Sequence, residues 1–250
     1  VTPKTVYGHR GAPAELPENT LEGFARALEV GADAIETDVH LTSCGTVVVF
    51  HDATATRTAG HDAKVAECTL AEVRTWDVGR RHPKARAPFR VPTLHEALTA
   101  FPEAFFNVDL KPSSDELVRR AVALVRELGA EERVRLTSFH ARNVRAARRL
   151  GYATTGLGAT EVLSLVALPE LLLERLGPHG RAAQIPVSQG PVRLDGARFI
   201  DKCHSLGIRV DYWTIDDPRE AARLFALGAD GIVTNDPRVI VPVAKAYAAP

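Results

Sequence analysis

VYGHRGAPAELPENTLEGFARALEVGADAIETDVHLTSCGTVVVFHD, residues 6–52, holds the pattern that decides the fold. Val6-Tyr7-Gly8 is a short run of strand type. Residues 19–30, NTLEGFARALEV, place apolar side chains at helical spacing, with Asn19 as the expected N-cap, Glu22 as its capping-box partner and Gly31 as the stop. Ala34 to Leu41 reads as a second strand. Strand, helix and strand in that order make the unit of a parallel sheet, because parallel neighbours need a long crossover. Val47–Phe50 then follows after a turn at Thr42-Ser43-Cys44-Gly45, which is too short for a crossover. It reads as an antiparallel arm folded back on the second strand.

Beyond this unit the alternation continues. Strand patterns fall at 105–110, 134–139, 154–157, 183–187, 210–215 and 231–233, and helical patterns at 115–128, 141–149, 161–176, 197–206, 217–227 and 237–248. Eight strands alternating with helices predict an α/β fold, a TIM (β/α)8 barrel. A chain of 250 residues suits that architecture. The expectation is a single domain over residues 1–250, with a small insertion after the second strand. That insertion, about residues 52–93, is polar, carries Pro83, Pro88 and Pro92, and lies on the loop side where barrels keep specificity elements.

Composition narrows the function classes. The 31 basic and 31 acidic residues cancel, which argues against nucleic acid or an anionic membrane as partner. Cys44, Cys68 and Cys203 are odd in number and far apart, so they suggest reduced thiols and a cytoplasmic protein rather than a disulfide framework. No apolar run reaches the roughly 18 residues of a membrane span. The opening VTPKTVYGHRG lacks the charged and apolar regions of a signal peptide. Nothing in the sequence sets an oligomeric state.

In a barrel the C-terminal ends of the strands line the active site. His9 and Arg10 follow the first strand. Glu36 and Asp38 alternate on one face of the second, as Asp109 and Lys111 do on the third. Trp213 is placed on the seventh strand, and His51 ends the antiparallel arm, which brings it opposite Glu36 to Asp38. Buried carboxylates repel one another unless a cation sits among them, and oxygen donors suit Mg2+ or Ca2+. That cation with Arg10 and Lys111 gives a positive cradle for a phosphate, and two histidines suit the proton transfers of phosphodiester cleavage. His51 is taken as the base and His9 as the acid. His82, His95, His140, His179 and His204 are read as surface or structural residues.

Residues 9–52 resemble the signature of the glycerophosphodiester phosphodiesterase family of TIM-barrel phosphodiesterases. The PENT stretch, GAD-x-x-E-x-D and the HD dipeptide stand in the family's order. RTAG at 57–60, VPTLHEAL at 91–98, VDLKP at 108–112, TSF at 137–139, YWTID at 212–216 and GADGIVTNDP at 228–237 extend the likeness over almost the whole chain. The resemblance implies His9 and His51 as the catalytic pair and Glu36, Asp38 and Asp109 as ligands of one divalent cation. Asp109 stands where the family usually has a glutamate, in an E-x-K pattern. Arg10 and Lys111 are implied as phosphate contacts, Trp213 as the aromatic against the substrate, and Asn235 as a minor candidate in a variant of the TDxP ending. The implied reaction converts a glycerophosphodiester to an alcohol and sn-glycerol 3-phosphate.

Three rivals stand beside it. The same chemistry could serve lysophospholipids, in the manner of lysophospholipase D. An aldolase or lyase could use Lys111 as a Schiff base, but it leaves both histidines and the acidic cluster without a task. A non-catalytic barrel could bind a phosphorylated ligand.

Overall fold

β1 (Thr5–His9), α1 (Leu21–Glu29) and β2 (Ala34–Leu41) form the parallel unit expected of the opening stretch, with His9 in register with Glu36. The structure is a computed structural model that describes residues 4–176 and 180–247. His179 and the last residue of the helical pattern ending at 248 lie outside them. α1 is capped by Thr20, whose hydroxyl accepts from Gly23 N at 3.1 Å, and not by Asn19. Asn19 is in the left-handed region at φ 56° and its amide turns inward to Asp38.

β3 (Val47–Val49) pairs antiparallel with β2, Val49 facing Val39 and Leu41 facing Val47, as the short turn required. The insertion holds α2 (Leu70–Val73) and its own small core of Val48, Phe50, Ala55, Trp76 and Val91. Phe50 and Trp76 stack obliquely with ring centres 5.6 Å apart. His82 pins the insertion to the loop after β1 through Pro13 O at 2.9 Å. Next comes α3 (Leu94–Ala100), a helix absent from the sequence expectation although its Thr93–Glu96 capping box is plain.

β4 (Phe105–Leu110), α4 (Asp115–Glu127), β5 (Val134–Thr137) and α5 (Ala141–Arg149) follow the expected pattern. The long helix expected over 161–176 is two, α6 (Ala159–Ala167) and α7 (Glu170–Leu176). Pro169 separates them, because proline lacks the N–H and crowds the preceding turn. β6 (Ala182–Ile185) leads into a hairpin, β7 (Ser188–Gln189) and β8 (Val192–Arg193), that the periodicity did not reveal. Then come α8 (Ala197–Ser205), β9 (Arg209–Tyr212), α9 (Pro218–Ala226), β10 (Gly231–Thr234) and α10 (Pro237–Ala246).

The parallel sheet runs β5-β4-β2-β1-β10-β9-β6. Residues 154–157 fill the gap between β5 and β6. Leu136 N donates to Thr154 O and Gly156 N to Leu136 O, both at 3.0 Å, while Leu157 N donates to Ala182 O at 2.9 Å. The segment switches from one neighbour to the other within two residues, so it closes a TIM-like barrel without being the regular strand expected there. At the N-terminal end of the barrel, Tyr7 and Arg135 both bond the buried Asp211 carboxylate, at 3.2 and 3.3 Å. That cluster plugs one end, and the site opens at the other.

Candidate active site

A cavity of about 570 Å³ opens at the C-terminal ends of the strands. Its wall includes His9, Arg10, Glu36, Asp38, His51, Asp109, Lys111 and Trp213, which are the eight residues singled out in the sequence. Trp213 lies one residue past β9 rather than on it. β1 carries His9 in line with Tyr7, so the ring points inward, and the sharp turn that follows needs Gly11. That glycine has φ +98°, and a Cβ there would sit 2.7 Å from the Gly23 carbonyl carbon. Phe50 N bonds Asp38 O at 2.9 Å, which brings His51 alongside the middle of β2. His40, a buried side chain missed in the sequence, holds the His51 carbonyl at 3.0 Å.

The charges are closely matched. Lys111 Nζ stands 2.9 Å from Asp38 Oδ1 and 2.7 Å from Asp109 Oδ2. Arg10 Nε lies 3.1 Å from Asp38 Oδ2 as an ion pair, and that oxygen accepts a hydrogen bond from Asn19 Nδ2 at 3.0 Å. Burial alone would raise Asp38, but Lys111 and Arg10 hold it below the usual carboxylate range. Glu36 has no such partner. Burial, then the nearby Asp38 charge, push it well above that range. Burial also raises Asp109 despite Lys111. Lys111, with two carboxylates outweighing its burial, is raised to about 12.

Two buried oxygens in this group, Glu36 Oε2 and Asp109 Oδ1, have no hydrogen-bond partner among the described residues. With Lys111 between Asp38 and Asp109, no three His, Cys, Asp or Glu side chains of the described residues stand gathered at ligating distance. The carboxylates share one pocket with free, hard oxygen donors in it, which fits a divalent cation.

The imidazoles have different supports. His9 Nδ1 is 2.7 Å from Asn235 Oδ1. Asp216 clamps that asparagine, accepting from Asn235 Nδ2 and from its backbone N, each at 2.7 Å. The amide NH2 is therefore committed to Asp216, so Oδ1 faces His9 and Nδ1 must be the donor. The neutral ring then presents an unprotonated Nε2, 3.8 Å from Glu36 Oε2. Burial, then the Arg10 charge, lower His9 from its ordinary range. His51 instead has a carboxylate behind it, with Nδ1 2.5 Å from Asp52 Oδ1. Asp52 is held by Arg57 at 2.7 Å, Arg57 grips Glu18 with two bonds of 2.7 and 2.6 Å, and Glu18 meets Arg10 at 3.0 Å. A chain of charges thus joins the two histidine loops. Glu18 in PENT, Asp52 in HD and Arg57 in RTAG carry no task in the sequence reading, and Asn19 only that of a helix cap; the Arg57–Glu18 pair spans 39 positions and has no local signal. Phe139, also missed, lies edge-on to Trp213 with ring centres 5.7 Å apart and under Lys111 Nζ at 5.6 Å.

Two imidazoles, two cations and three carboxylates at the mouth of a β/α barrel define the site of a barrel enzyme. The glycerophosphoryl diester phosphodiesterase family model matches residues 9–239, and the chain belongs to that family. It is an enzyme, a phosphoric diester hydrolase with glycerophosphodiester phosphodiesterase activity. Among its relatives, the glycerophosphodiester phosphodiesterase of Caldanaerobacter subterraneus subsp. tengcongensis is 29% identical over 96% of this chain and 97% of its own length. The probable glycerophosphodiester phosphodiesterase 2 of Mycobacterium tuberculosis is 31% identical over 93% of this chain and 87% of its own. The crystal structure of a putative glycerophosphoryl diester phosphodiesterase from Silicibacter pomeroyi superposes with a TM-score of 0.81 at 28% identity, covering 98% of this chain and 94% of that one. No helix among the described residues is long and apolar enough to cross a membrane.

Proposed function

We propose that the chain hydrolyses sn-glycero-3-phosphodiesters to an alcohol and sn-glycerol 3-phosphate, with one divalent cation, Mg2+ or Ca2+, and with His9 and His51 moving the protons. The observation that carries this reading is the pair of partnerless buried oxygens on Glu36 and Asp109, set between two imidazoles, Arg10 and Lys111. The named activity of the Caldanaerobacter relative supports the substrate class. Glu36, Asp38 and Asp109 are the residues that would hold the cation. When bound, it would polarise a phosphate oxygen and acidify a hydroxyl beside it.

The chain's own groups do the rest. Arg10 and Lys111 balance the charge of the diester, and Trp213 packs against the glycerol. His9, kept neutral with Nε2 free, takes the proton of the attacking oxygen. As the new P–O bond forms, the P–O bond to the alcohol breaks, and His51 gives its proton to the departing alkoxide. Asp52 offsets the charge of the His51 ring. This order is the opposite of the one read from sequence, and the amide behind the His9 ring and the carboxylate behind the His51 ring support it. If the attacking oxygen is the glycerol 2-hydroxyl, a cyclic phosphate precedes glycerol 3-phosphate; if it is water, none forms.

Release of glycerol 3-phosphate from glycerophosphocholine, glycerophosphoethanolamine and glycerophosphoglycerol, each with Mg2+, Ca2+ or EDTA, tests the proposal. Turnover that withstands EDTA would remove the cation from it. The absence of turnover on all three diesters with either ion would end the substrate assignment.

A further inference from the structure

Six buried side-chain atoms among the described residues lack a hydrogen-bond partner, and five of them belong to residues that line the active cavity. Three of the five already have a task. Arg10 Nε faces the Asp38 carboxylate, and Glu36 Oε2 and Asp109 Oδ1 are assigned to the cation. Asn107 Oδ1 and Gln184 Nε2 remain, and both stand at the cavity floor. Asn107 precedes Asp109 by two residues on β4, so the two share the inward face and Asn107 lies about 6.6 Å nearer the closed end. Its register partner on β5 is Arg135, and the register partner of Gln184 on β9 is Asp211. Arg135 and Asp211 form the ion pair of the plug, so the plug sets both amides at one level. Hydrogen bonds at the floor fix what Asn107 offers. Thr137 Oγ1 donates to Val108 O at 3.3 Å, so it can only accept from Asn107 Nδ2, at 3.4 Å. The Asn107 oxygen is thereby left to the cavity as an acceptor, while Gln184 Nε2 is a donor. Asn107 is 2% exposed, and a buried amide with a bond unmade costs stability that an apolar side chain of the same size would not.

Resting on the hydrolase reading above, we propose that Asn107 and Gln184 form a hydroxyl subsite that holds the terminal hydroxyl of the substrate's glycerol, the one remote from phosphorus, and so selects a glycerol left free at that end. A hydroxyl both donates and accepts, which is what an acceptor and a donor at one level require. A phosphate oxygen of the diester gives Asn107 Oδ1 no proton, and a quaternary ammonium gives neither atom a partner. Lys111, Asp109 and Asn107 descend one face from the mouth to the floor. Phosphate, cation and terminal hydroxyl therefore follow the order in which the substrate itself carries its groups.

The test compares kcat/KM for glycerophosphocholine and for the diester of phosphocholine with propane-1,2-diol, which keeps the 2-hydroxyl and lacks only the terminal one. The wild type should favour glycerophosphocholine by at least about tenfold, because the analogue leaves both floor amides unpaired. Asn107→Leu and Gln184→Met keep the approximate volume of each side chain and remove its hydrogen bonding. In each, kcat/KM for glycerophosphocholine should fall about tenfold while that for the analogue stays within about twofold, so the ratio moves toward one. A general loss of structure would lower both substrates alike and leave the ratio unchanged. Gln184 is only partly buried, so Gln184→Met carries the test if Asn107→Leu does not fold. A ratio that falls in either variant supports the subsite. Equal kcat/KM for the two substrates in the wild type, or a ratio untouched in the folded variants, would overturn it and leave the hydrolase reading standing. No turnover of either substrate by the wild type would overturn both.

Discussion

Replacing Asn235 with Ala removes the oxygen that fixes the His9 ring while leaving every other charged group of the cavity in place. The bond is 2.7 Å long, and its acceptor is held by two further bonds from Asn235 to Asp216. A hydrogen bond of this kind contributes about 0.5–1.5 kcal/mol net, or roughly two- to tenfold in rate if it acts in the transition state. Freed from Asn235, the neutral ring also divides between two tautomers, and only one presents Nε2 as a base. With an even division between tautomers, these together give a fall in kcat of about 4- to 20-fold, below the 10²-fold or more expected for His9→Ala or His51→Ala. KM should move little. The assay is release of glycerol 3-phosphate, followed through a coupled dehydrogenase. In a His9→Ala background, Asn235→Ala should cost less than about twofold more, because residues that act as a unit are not additive. Asn235→Asp keeps an acceptor for His9 Nδ1 but replaces the donor to Asp216 with a second carboxylate oxygen, so it should recover only part of the activity. His9 is lowered from 6.5 in the native cavity, so the acidic limb of kcat/KM should lie below that pH. The new carboxylate favours the charged ring and should carry the limb upward. Full kcat in Asn235→Ala, or an equal loss with and without His9, would refute the reasoning.

Other expectations follow from the same contacts. Glu36 binds its proton more tightly folded than unfolded, so it destabilises the fold once pH rises above its ordinary 4.5; in EDTA, Glu36→Gln should raise Tm at neutral pH and lose that advantage as pH falls through that value, even as activity disappears. Phe24 is fully buried between Phe101 and Phe106, edge to face at 6.4 and 5.9 Å, and Phe24→Ala should cost about 3–5 kcal/mol in a denaturant titration. Among the three thiols, exposed Cys44 has a pKa lowered to about 7 by bonds from Thr42 and Leu70, whereas burial pushes Cys203 up to about 12. Iodoacetamide should modify Cys44 first, at a rate that climbs through pH 7, and spare Cys203 until the protein unfolds; equal modification of both in the native protein would contradict the packing.

The sequence by itself determined the elements whose signals are local. Alternating strand and helix patterns required a parallel barrel, a four-residue turn required the antiparallel arm of β3, and period-two spacing put Glu36 with Asp38 and Asp109 with Lys111 on inward faces. Only the tertiary structure decided which groups face which. The arrangement of His9, Asn235 and Asp216, the run from His51 through Asp52, Arg57 and Glu18 to Arg10, and the diversion of Asn19 from helix cap to Asp38 join residues far apart in sequence. Periodicity also missed the split at Pro169, the β7–β8 hairpin and the irregular closure at residues 154–157. The split is a local signal of Pro169, whereas for the hairpin and the closure the competing local geometries differ by little and the barrel selects among them.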